Sequence, residues 1–106
     1  MAKAKQPQQI VQLIQNRQFN AALKAARIGM KQDPNAVAYP DLAAASLRQQ
    51  GREREAIPYL VKALKLAPKE LTLQGNLAQA MVTTGQFEKA QELLHKSIVQ
   101  HPGNGD

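Results

Sequence analysis

VAYPDLAAASLRQQGREREAIPYLVKALKLAPKE, residues 37–70, runs directly into LTLQGNLAQAMVTTGQFEKAQELLHKSIVQHPGN, residues 71–104. Laid one above the other, these 34-residue stretches place Ala44 over Ala78, Leu47 over Met81, Gly51 over Gly85 and Ala56 over Ala90. Leu60 falls over Leu94, Ala63 over Ser97 and Pro68 over Pro102. The register extends backwards: Leu13, Ala22, Gly29 and Pro34 stand 34 residues before Leu47, Ala56, Ala63 and Pro68, and Phe19 stands two periods before Phe87. A repeat of this length marks an array of stacked supersecondary units, each too small to bury its own apolar face.

Each column has a physical job. Gly51 and Gly85 separate two apolar-periodic stretches, where a tight helix–helix turn requires positive φ without a Cβ penalty. Ala22, Ala56 and Ala90 fall early in the second stretch of each unit, and a methyl group there lets two backbones approach. Leu60 and Leu64, and again Leu94 and Ile98, recur at helical spacing and fill the space between hairpins. Pro34, Pro68 and Pro102 end each unit, because proline cannot continue the hydrogen-bond ladder. The spacing predicts paired helices over 8–15 and 19–31, 38–49 and 53–66, and 71–83 and 87–99. Pro40 falls in a first helical turn, where it is tolerated. Pro58 sits about one turn inside its helix and is expected to bend it slightly.

Composition agrees with an all-α fold in a single domain. The 106-residue chain is 4% aromatic with no Trp, so its apolar interior is Ala and Leu, residues suited to close helix packing. Few runs are β-branched, and strands are poorly supported. There is no Cys, which excludes disulfides, thiolate zinc sites and a Cys nucleophile. The basic start, Met1 to Pro7, has no apolar stretch behind it long enough for a signal peptide, and no window reaches the length of a membrane span. A cytoplasmic location is expected. The net charge of +6 favours acidic partners in general.

Period and residue types together resemble the tetratricopeptide repeat family. Its pattern has a small residue in the first helix, glycine at the turn, an aromatic two residues on, then alanine, a large apolar residue, a small residue and proline. The second unit supplies Ala44, Gly51, Ala56, Leu60, Ala63 and Pro68, with Glu53 where the aromatic is usual. The third supplies Ala78, Gly85, Phe87, Ala90, Leu94, Ser97 and Pro102. The first keeps Phe19, Ala22, Gly29 and Pro34 but has Ile10, Arg17 and Ala26 at three pattern positions. The resemblance implies a right-handed superhelix, an α-solenoid of three helix-turn-helix hairpins and six helices. Its repeats would span about 3–36, 37–70 and 71–104, with short disordered ends at 1–6 and 103–106.

In such a fold the first helices of successive units line a concave groove that takes a peptide. Projected onto this chain, the groove positions are Val11, Ile14 and Gln15, then Asp41, Leu42, Ala45, Arg48 and Gln49, then Thr72, Asn76, Gln79, Val82 and Thr83. The mixture suits a peptide that docks an apolar side chain while Asn76, Gln79 and Arg48 bond its backbone or a carboxylate. The alternative is that Val11, Ile14 and Leu42 seal the seam between helices. The five positions by which some relatives clamp the acidic tail of chaperones hold Pro7, Val11, Leu42, Thr72 and Asn76. None is cationic, so that clamp is not expected. The resemblance implies a protein-binding scaffold without cofactor or metal. The alternatives are an accessory domain of a larger, catalytic polypeptide, or a basic surface for nucleic acid or acidic lipid.

Lys24, Arg27 and Lys31 follow one helix face, and Lys62, Lys65 and Lys69 repeat the pattern. A solvated outer face accounts for them, and no aromatic residues are interleaved for base stacking, which speaks against nucleic acid. Tyr39 and Tyr59 read as packing residues. His95 and His101 are six apart, too far to share a helix face as metal ligands, and no catalytic residue is identified. Leu71, Leu77, Met81, Leu94 and Ile98 have no following hairpin to cover them fully. The expectation is a longer parent chain; the alternatives are a homodimer through this C-terminal hairpin, or a bound partner that covers it.

Overall fold

The computed structural model describes residues 3–100, with side chains as far as Ser97. The described residues form six α-helices: α1 Pro7–Gln15, α2 Phe19–Gln32, α3 Ala38–Gln49, α4 Glu53–Leu66, α5 Leu71–Thr83 and α6 Phe87–Gln100. The predicted ranges differ by at most one residue at an end. α1 begins at Pro7 rather than at 8, since proline is well placed at a first helical position and the Gln9 side chain closes the end by accepting the Gln6 N–H at 2.8 Å. His101, Pro102 and the expected C-terminal end 103–106 lie outside the described residues.

The three hairpin turns are built alike. In the second, Gly51 N–H donates to Arg48 O and Arg52 N–H to Leu47 O. In the third, Gly85 N–H donates to Val82 O and Gln86 N–H to Met81 O. This double bond pattern caps a helix through one left-handed residue, and Gly51 and Gly85 take φ of 74° and 82°. The first turn has the same bonds, Arg17 N–H to Ile14 O and Gln18 N–H to Leu13 O, but its left-handed residue is Arg17, at φ 61°. The Arg17 guanidinium lies 5.6 Å from the centre of the Phe19 ring, which partly offsets the strain.

The turns between units also repeat. Ala36 N–H donates to Asp33 O, and Glu70 N–H to Ala67 O. Pro34 and Pro68 each stand second in these four-residue turns, where their fixed φ fits. The residue before each, Asp33 or Ala67, closes the preceding helix with ψ near 75°, outside the helical region that a following proline disfavours.

Two packed clusters make the interior. Ile10, Ala22, Ala25, Ala26, Tyr39 and Ala43 form one, between α1, α2 and α3. Ala44, Leu47, Ala56, Leu60, Ala63, Leu73, Leu77 and Ala80 form the other, between α3, α4 and α5. Leu23 and Tyr59 pack against both, so the core is continuous along a body of 45 × 26 × 21 Å. Ala22 and Ala56 are fully buried and Ala90 almost so, as the hairpin seams require.

Gly29 is buried beneath Tyr39, and a Cβ on it would land inside the ring. The Tyr39 hydroxyl donates to Lys5 O at 2.8 Å, and Ala4 N–H donates to the Gln32 side chain. The segment ahead of α1, expected to be disordered, thus has two contacts with the body. Leu77, expected to lack full cover, is buried in the second cluster, with α3 and α4 residues of the preceding hairpin. Leu71 and Leu94 are nearly half exposed, Met81 is partly covered, and the Ile98 side chain lies outside the described residues.

Gly29→Ala is expected to destabilise the protein by about 1–3 kcal/mol, because overpacking outweighs the helix preference for alanine. Arg17→Gly is expected to stabilise it by about 0.5–1 kcal/mol, relief of the left-handed residue exceeding the lost ring contact. Denaturant unfolding midpoints check both, and a Gly29→Ala variant as stable as the parent would contradict the Tyr39 packing.

Candidate functional site

On α3, Asp41, Ala45, Arg48 and Gln49 lie at helical spacings of four, seven and eight from the first, which puts them along one face. Thr72, Asn76, Gln79 and Thr83 share a face of α5 in the same way, at spacings of four, seven and eleven. Between the two helices lies a cavity of about 350 Å³. It brings together Asp41, Ala45, Arg48, Gln49 and Asn76 of the expected groove residues, and adds Ala44, Glu53 and Leu60.

Arg48 organises this site. Its Nε donates to the Glu53 carboxylate at 3.0 Å, and its Nη2 donates to the Gln79 side-chain oxygen at 3.2 Å. One guanidinium therefore ties α3 to α4 and α5, a use of its rigid fork that lysine would not reproduce. Asp41 is half-buried in the same cavity. Burial raises its carboxyl above the usual range, Glu70 adds to the rise, and Arg48 opposes it. The net local charge is therefore not cationic, although the chain carries +6.

The remaining expected residues divide. Ile14 and Leu42 pack against the first core cluster, so they chiefly seal the seam. Val11 stays 37% exposed and Val82 47% exposed, apolar points at the surface outside the cavity lining. Gln15 and Thr72 are exposed. The Thr83 hydroxyl donates to Gln79 O at 2.9 Å, which commits it to its own helix. None of the α1 positions lines the α3–α5 cavity.

Sequence reasoning missed Glu53. The signal was its place in a column that normally holds an aromatic, five residues after Arg48 across the hairpin turn. It also read Tyr59 as packing alone, whereas Tyr59 contacts the core and lines a second cavity with Lys24, Arg27, Lys31 and Lys62.

The sequence profile of the Tetratricopeptide repeat matches residues 47–106, more than half of the 106. The chain belongs to the tetratricopeptide repeat family. Tetratricopeptide architecture also appears among solved structures. MamA AMB-1 in its P212121 form superposes with a TM-score of 0.77 at 21% identity, covering 89% of this chain and 51% of that one. Its C2221 form gives 0.74 at 22%, covering 83% and 52%. MamA MSR-1 gives 0.66 at 23%, covering 83% and 55%. These identities speak for the shared superhelical fold, and the chain spans about half the length of the MamA structures. No curated protein sequence matches it.

The raised Asp41 carboxyl predicts a pH signature. Protonation is favoured in the folded state, so the contribution of Asp41 is most favourable below the ordinary carboxylate range and is lost as pH rises through the raised value. Asp41→Asn should therefore be more stable than the parent near neutrality, with the difference closing in acid. Urea midpoints from about pH 3 to 7 check this; a difference that does not vary with pH would refute it.

Proposed function

We propose that the α3–α5 cavity is the part of the groove that holds a partner peptide, so that the chain works as a protein-interaction scaffold. The repeat family and the superhelical fold support the scaffold reading. The observation that carries the groove assignment is the cavity itself, with its Arg48–Glu53–Gln79 bridge.

The chemistry suggests the kind of peptide. Asn76 and Gln49 offer amide donors and acceptors of the sort that bond an extended backbone. Ala44 and Ala45 leave room between them for a side chain. Arg48 is already paired with Glu53 at 3.0 Å, so it holds the shape of the site rather than calling for a carboxylate. With Asp41 and Glu53 both present, an acidic residue would be repelled here. A neutral or basic segment fits best.

Leu42 and Arg48 are unsuitable test positions, since the one packs against the core and the other braces three helices. Asn76→Ala combined with Ala45→Arg removes an amide and fills the cavity. A partner captured with the intact chain and then titrated against the variant should bind at least about tenfold more weakly, roughly 1.4 kcal/mol, with unchanged helical circular dichroism. Equal affinity would place the partner elsewhere.

A further inference from the structure

A cavity of about 560 Å³ opens between α2 and α4 and shares no residue with the α3–α5 site. α3 packs against both flanking helices and holds them apart, leaving a cleft. Leu23, Met30 and Tyr59 give it an apolar floor; all are partly buried against the core. Its rim is cationic. Lys24, Arg27 and Lys31 stand along one face of α2, Lys62 faces them from α4, and no acidic residue lines the cleft. All four cations are exposed, and among the described residues none is in an ion pair.

The next cleft along the array shows that this is not a plain product of the repeat. There Leu93 stands in the column of Tyr59 and Lys96 in that of Lys62, but the cavity is only about 100 Å³. Lys96 is also within 3.9 Å of Glu92. Of these two clefts, as far as the described residues go, the first gathers unpaired cations around an apolar hollow and the second does not.

We propose that the α2–α4 cleft docks an acidic peptide segment of a protein partner. An aromatic or aliphatic side chain seats on Leu23, Met30 and Tyr59, and flanking carboxylates pair with the four cations. The recessed floor selects this occupant. A bilayer surface meets the cations but does not reach apolar groups set below them. A nucleic acid strand is held by successive stacking platforms, and the cleft has one ring, partly buried. This site is independent of the α3–α5 groove and of opposite charge preference.

The probe is a fluorescein-labelled peptide with Asp and Glu on both sides of a single Phe, followed by anisotropy. Saturable binding is expected at low salt, weakening as salt screens the rim. Replacing the Phe by Ser, or making Arg27→Glu with Lys62→Glu in the protein, should each weaken binding at least about tenfold. Asn76→Ala with Ala45→Arg should leave it unchanged, which separates this site from the groove. Arg27→Gln with Lys62→Gln serves if the reversed charges disturb folding by circular dichroism. The proposal is overturned by no binding at low salt, by binding indifferent to the charge variants or to the Phe, or by loss in the groove variant. It is overturned equally if phosphatidylserine vesicles or a single-stranded oligonucleotide bind the same residues more tightly than the peptide.

Discussion

Ala22, Ala56 and Ala90 sit where the two helices of each hairpin meet, each with at most 2% of its surface exposed, and the whole array rests on the smallness of these side chains. A methyl group brings the backbones near enough for the larger residues on either side, Leu23, Leu47 and Leu60 among them, to interlock. Widening any of these seams would shift the next hairpin, because in a linear array each unit finds its partners only in its neighbours. The order of the interior is thus set by its least bulky members, and leucine fills what alanine has positioned.

Much of this was legible in the sequence, for a physical reason. Turn chemistry and proline placement are local. Gly51 and Gly85 declare a left-handed turn, and Pro34 and Pro68 forbid further helix, so the boundaries followed. The depth of a residue on its helix is not local. Ile14, Leu42 and Val11 have the same claim to a groove by periodicity, yet Ile14 and Leu42 turn into the seam while Val11 remains at the surface. That division depends on how α1 lies against α3. Leu77 was misjudged similarly, because its two possible neighbours are on opposite sides of α5. Glu53 and Tyr59 stayed hidden since each does two things. Glu53 fills a pattern column and anchors Arg48, and Tyr59 touches the core and the cleft.

Charge is distributed with more contrast than a net +6 conveys. The α3–α5 cavity gathers Asp41 and Glu53 around a neutralised Arg48, whereas the α2–α4 cleft gathers cations alone. The side chains that line the two hollows are different residues throughout, even where α4 contributes to both. The two hollows therefore present opposite electrostatic character.

Tyr39 links parts of the chain that the repeat would otherwise keep apart. Its ring lies on Gly29 in α2, and its hydroxyl holds the carbonyl of Lys5 just before α1. The leading end is thereby latched to the middle of the molecule by a residue belonging to the second unit. Peeling away the first helix means breaking a bond made by the third, so fraying from this end is resisted at the centre of the array.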